Sequence, residues 1–143
     1  MKKKLQLLFI IALTGIFVFG QNTVGTISIA TDIEEGFTLF TIHQKTYLIN
    51  NCGELINEWT SNFLPGAAVY LLPNGNLLRA GVTDDNSSDI AFGGQGGIVE
   101  LFDWDNNLLW TFTYSTNDHR LHHDIYPMPN GNILLLAAEV IPG

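Results

Sequence analysis

One strand-turn-strand unit occurs twice in this chain, and that repetition limits the fold more than any other feature. Ala68-Val69-Tyr70-Leu71-Leu72-Pro73-Asn74-Gly75-Asn76-Leu77-Leu78 and Asp124-Ile125-Tyr126-Pro127-Met128-Pro129-Asn130-Gly131-Asn132-Ile133-Leu134 share a strand, a Pro-Asn-Gly-Asn turn and an apolar strand. The Asn-Gly step supplies the positive-φ positions a tight hairpin requires. A second unit also recurs: Tyr47–Trp59 and Val99–Trp110 each read as a strand, a polar turn and a strand ending in tryptophan. The two hairpin types alternate, with spacings of 51 (Trp59 to Trp110) and 56 (Pro73 to Pro129). Four strands repeating every 40–50 residues or so is the pattern of a propeller blade.

After residue 21 no long segment has helical periodicity, and short apolar runs are separated by Gly, Asn, Asp and Pro. Strands are expected near Phe37–Ile42, Thr46–Ile49, Glu54–Thr60, Ala67–Leu72, Asn76–Ala80, Ile98–Asp103, Leu108–Tyr114, His123–Met128 and Asn132–Ala138. The fold class is therefore all-β, with one full blade from Ala67 to Tyr114. A preceding blade ends at Trp59 and a following one begins near His122. Trp59 and Trp110 are expected to fill equivalent places between blades. A β-sandwich is the competing architecture, but two hairpin types repeating in the same order favour blades. About two and a half blades cannot close a ring of four to eight, so the chain reads as the N-terminal portion of a longer propeller over residues 21–143.

Met1-Lys2-Lys3-Lys4, an apolar run from Leu5 to Phe19 and the small residue Gly20 make a secretory signal peptide over residues 1–20. The run is shorter than the roughly 20 residues a spanning helix needs, so no membrane attachment is expected once it is cleaved. Without the leader only Lys45, Arg79 and Arg120 oppose fourteen acidic residues. So acidic a domain repels nucleic acid phosphates and anionic membranes. Cys52, the one cysteine, lies in a turn and reads as structural or incidental.

Chemistry-bearing residues cluster at Asp118-His119-Arg120-Leu121-His122-His123-Asp124. Registering Pro129 on Pro73 sets His122, His123 and Asp124 opposite Gly66, Ala67 and Ala68. The repeat tolerates small residues at these positions, so folding alone does not explain the polar triplet. Imidazoles can serve as nucleophile, general base or oxyanion donor, and Arg120 adds a permanent positive charge. On a regular strand His122 and Asp124 face one way and His123 the other. The three share a pocket only if the strand start is irregular. A metal is not expected, because no second ligand cluster accompanies the triplet; no cofactor is expected either. Asp103-Trp104-Asp105-Asn106-Asn107 reads as a plain hairpin turn rather than a calcium loop. Gly93-Gly94-Gln95-Gly96-Gly97 reads as a close passage between strands, and His43 has no visible partner.

The run from His122 to Leu134 resembles the His-Asp and Leu-Pro-Asn-Gly-Asn stretch of bacterial arylsulfate sulfotransferases. Gly36–Phe40, Thr46–Ile49 and Gly97–Glu100 with Trp104-Asp105 are similar to secreted members of that family. The resemblance implies a six-bladed propeller in the periplasm or outside the cell. It implies transfer of a sulfuryl group from an aryl sulfate to a phenolic acceptor through a sulfated histidine. By position His123 with Asp124 matches a channel histidine of the family, with His122 beside it. Arg120 and His119 are the candidates for holding sulfate. The sulfated histidine belongs to a later blade, so this chain alone is expected to be inactive. A non-catalytic secreted propeller acting as a binding or surface scaffold is the alternative.

Overall fold

The computed structural model describes residues 28–83, 90 and 93–141; the expected signal peptide over residues 1–20 lies outside them. Nine strands and no helix occur among the described residues: β1 (Phe37–Ile42), β2 (Lys45–Asn50), β3 (Leu55–Thr60), β4 (Leu64–Leu71), β5 (Leu77–Val82), β6 (Ile98–Phe102), β7 (Leu108–Thr113), β8 (His119–Pro127) and β9 (Ile133–Glu139). They form three antiparallel meanders in chain order, β1-β2-β3, β4-β5-β6-β7 and β8-β9. The four-stranded sheet spans nearly the stretch expected from Ala67 to Tyr114, starting a little earlier at Leu64.

Each consecutive pair of sheets closes its own apolar layer. Leu48 and Trp59 of the first sheet pack with Leu77 and Phe102 of the second. Leu78, Ala80 and Val99, from the opposite face of the second sheet, pack with Leu121 and Ile125 of the third. Leu77 and Leu78 are neighbours on one strand and both fully buried. The middle sheet is thus covered on both faces, as alternating side chains on a strand require. A two-sheet sandwich has one such layer, not two in succession.

A buried ion pair crosses the middle sheet. Arg79 Nη1 and Glu100 Oε2 are 2.7 Å apart, and Ser61 Oγ donates to the same oxygen at 2.7 Å. Arg79 Nη2 donates to the Phe63 carbonyl. Lys45 pairs with Glu58 at the surface.

The turns repeat atom by atom. Asn74 and Asn130 each accept from the amide two residues on, and Gly75 and Gly131 both take φ 84°. Asn50 and Asp103 each cap a polar hairpin by accepting two backbone amides. The Asp103 turn is a hairpin turn, as expected. Here the register corrects the sequence comparison, however. Leu48 pairs with Asn57, and Leu101 with Trp110. Thr46 pairs with Trp59, and Val99 with Phe112. The true offset is 53 residues, so Trp59 corresponds to Phe112 and Trp110 to Asn57. Matching tryptophan to tryptophan placed them two residues out of register: the bulges at Leu48/Ile49 and Leu101/Phe102 share the same offset, and the tryptophan stands two places earlier on β7 than on β3. Trp59 is buried and Trp110 is 42% exposed.

Candidate functional site

The histidine pair stands on a bulge that both sister strands share. Pairing slips between Pro65 and Val69 in β4 and between Leu121 and Ile125 in β8, positions 56 residues apart. Within each slip one non-glycine residue has positive φ: Ala67 at 78° and His123 at 58°. Such a conformation costs an L-residue on the order of 1 kcal/mol, so its recurrence marks it as part of the repeat. The same backbone device carries a methyl group in one copy and an imidazole in the other.

The bulge supplies the irregularity that strand alternation forbids. The His122 and His123 rings lie 4.2 Å apart between centroids, with Nδ1 to Nδ1 at 2.8 Å. One Nδ1 donates and the other accepts. In the neutral pair the donor ring therefore keeps a bare Nε2 lone pair, and the acceptor ring carries Nε2–H. His123 is exposed and His122 half-buried. A base or nucleophile and a hydrogen-bond donor thus stand side by side.

Gly94 cradles this pair. Its carbonyl accepts the His123 amide at 2.7 Å, and Gln95 bridges to His122. A Cβ on Gly94 would fall 2.3 Å from His123 Nε2, and its φ of +74° favours glycine. Gly96 is equally confined: its amide donates to the Leu121 carbonyl at 2.8 Å, and a Cβ there would meet Leu121 Cβ at 3.0 Å. The glycine run is the close passage expected from sequence. Its role under the imidazoles was not legible, because a glycine run does not name what it passes.

Asp124 is tied to the neighbouring sheet. Its Oδ1 accepts from the Ile125 amide at 2.9 Å and from the Tyr70 hydroxyl at 3.0 Å. That hydrogen bond to Asp124, with burial second, raises the Tyr70 phenol above its ordinary value and keeps it protonated. Tyr70 stands edge-on to Tyr126, its counterpart in the repeat. Sequence reasoning missed Tyr70, although its match with Tyr126 was available as a signal.

Arg120 and His119 stand apart from the histidine pair in their contacts. Arg120 is 5% exposed; its Nε donates to the Gly96 carbonyl at 3.0 Å and Nη2 to the Thr83 carbonyl at 3.2 Å. The buried guanidinium is engaged with two carbonyls and ties β8 to the chain at Thr83 and Gly96, beside the histidines. The strand begins four residues earlier than expected, and this draws Arg120 into the sheet. His119 stacks on Tyr114 with centroids 3.9 Å apart, and its Nδ1 lies 3.2 Å from Thr116 Oγ1. These contacts do not join it to the pair. The polar groups that face one another are thus His122 with His123, and Asp124 with Tyr70. Comparison with known protein families, curated proteins and solved structures finds no match to this chain.

Proposed function

We propose that the chain builds successive blades of a secreted six-bladed β-propeller, and that the His122–His123 pair handles an aryl sulfate during sulfuryl transfer to a phenol. What supports this reading above all is the half-exposed pair on a bulge whose sister copy holds Gly66 and Ala67. A folding role would not need imidazoles there. The geometry favours proton handling over charge clamping, since Lys45, Arg79 and Arg120 are engaged elsewhere. In the transfer, an imidazole lone pair attacks sulfur and the S–O bond to the aryl group breaks. The departing phenolate takes a proton from a neighbouring N–H donor. The acceptor phenol oxygen then attacks sulfur, the S–N bond breaks and the acceptor proton passes to a base. We assign His122 and His123 to ester binding and proton transfer, with Asp124 and Tyr70 fixing the strand that carries them. The sulfated histidine is placed outside this chain.

Titration calorimetry with 4-nitrophenyl sulfate tests the reading. Saturable binding is expected, weakened at least tenfold by His122→Ala or His123→Ala and untouched by Cys52→Ser. Equal binding by all variants would leave the non-catalytic scaffold as the better account.

A further inference from the structure

The outer half of the middle sheet exposes an aromatic face whose cover can be read from the chain's own first interface. Trp110, Phe112 and Tyr114 form a ladder on one side of β7 and its continuation, with centroids 6.1 and 6.2 Å apart and planes within 19° of parallel. Trp110 and Phe112 are 42% and 40% exposed. Their register counterparts, Asn57 and Trp59, are not left bare. Asn57 Nδ2 donates to the Trp104 carbonyl at 2.8 Å, and Trp59 Nε1 to the Asp103 carbonyl at 2.7 Å. The Thr60 amide donates to Asn106 Oδ1, and the Trp104 ring meets Trp59 edge-on at 5.5 Å. All of these covering groups belong to the β6–β7 hairpin.

Three further differences separate the two interfaces. A Cβ on Gly75 would touch the Trp104 ring at 3.5 Å, whereas the same atom on Gly131 would meet nothing within 4 Å. Beside that second turn lies an open groove of about 620 Å³ lined by Leu78, Leu101, Met128 and Ile133 among others. Finally, β5 is paired on both edges, by β4 and β6, whereas among the described residues its counterpart β9 is paired only with β8. An indole, an apolar strand and an edge partner are present at the first interface, and their places are open at the second.

We infer that the Trp110–Phe112 face and the outer edge of β9 form a receptor for one β-hairpin of the β6–β7 type. This hairpin is a strand, an Asp/Asn turn and a returning strand, with aromatic side chains at the places of Phe102 and Trp104. Its first strand adds antiparallel to β9, and its turn carbonyls take the Trp110 indole N–H as the Trp104 carbonyl takes the Asn57 amide. The inference rests on the repeat geometry and is independent of the histidine chemistry.

The test is titration of the whole chain with a synthetic peptide carrying residues 98–114, followed by hydrogen exchange and tryptophan quenching. Exchange at β9 amides should slow at least tenfold, and acrylamide quenching of Trp110 should fall, with Trp59 and Trp104 replaced by phenylalanine to isolate its signal. A peptide with Phe102→Ser and Trp104→Ser should give neither effect. Three outcomes would overturn the inference: unchanged exchange at β9, equal protection by the serine peptide, or β9 protection in the unmixed chain together with a dimeric mass, which would make a second copy the occupant.

Discussion

Glu100 shows how much one side chain can carry in this molecule. Its Oε2 meets Arg79 and Ser61 together, in a region where all three are almost fully buried. Glu100→Ala leaves the guanidinium buried without its counter-ion, which costs about 3–5 kcal/mol; urea denaturation should show that loss. The pair is not needed for the fold as such, since the counterpart of Arg79 in the third sheet is Leu135. Arg79→Met with Glu100→Leu should therefore be at least as stable as the natural chain in the same assay. Gly94 is the second decisive residue. Gly94→Ala forces a methyl group onto the His123 ring at an unfavourable φ, costing about 1–2 kcal/mol for the backbone alone. Imidazole ¹⁵N spectra should then show the His122–His123 contact broken, and aryl sulfate binding should weaken with it. The histidine triplet was legible in the sequence because its sister copy holds Gly66, Ala67 and Ala68. The burial of Arg120 was not, since a sequence does not say which carbonyls a guanidinium will find.

Turn chemistry sets the sheets. The Asp103 carboxylate accepts the Asp105 and Asn107 amides and the Asn107 side chain. The Asn107 side-chain bond, then its backbone bond, holds the Asp103 carboxyl below the usual carboxylate value. A carboxyl depressed on folding adds stability above its unfolded value, near 4, and loses it as pH falls through the folded value. The urea midpoint should thus decline below about pH 4, and Asp103→Asn should flatten that part of the decline. Hairpin positions were readable from Pro-Asn-Gly-Asn and from the Asp/Asn turns, because those residues fix φ and bond their own backbone. Register was not. Residue type alone does not fix pairing, and so Trp59 and Trp110 looked equivalent when Phe112 and Asn57 are the true counterparts. Likewise the shared slip in β4 and β8 was invisible, although it turns His122 and His123 toward each other.

Three sheets in chain order, each buried against the next, make the described residues a succession rather than a closed pair of layers. The order of repeats made that succession legible; the faces left open on β7 and β9 needed coordinates. The functional reading depends on the succession, because it puts β4 and β8 at equivalent edges of their sheets and so makes Ala67 and His123 comparable. Methyl and aromatic NOEs on the labelled chain test it most directly. Two separate networks are predicted, one joining Leu48 and Trp59 to Leu77 and Phe102, the other joining Leu78 and Val99 to Leu121 and Ile125. Direct NOEs from Leu48 or Trp59 to Leu121 or Ile125 would mean a single core between two sheets and would contradict the account.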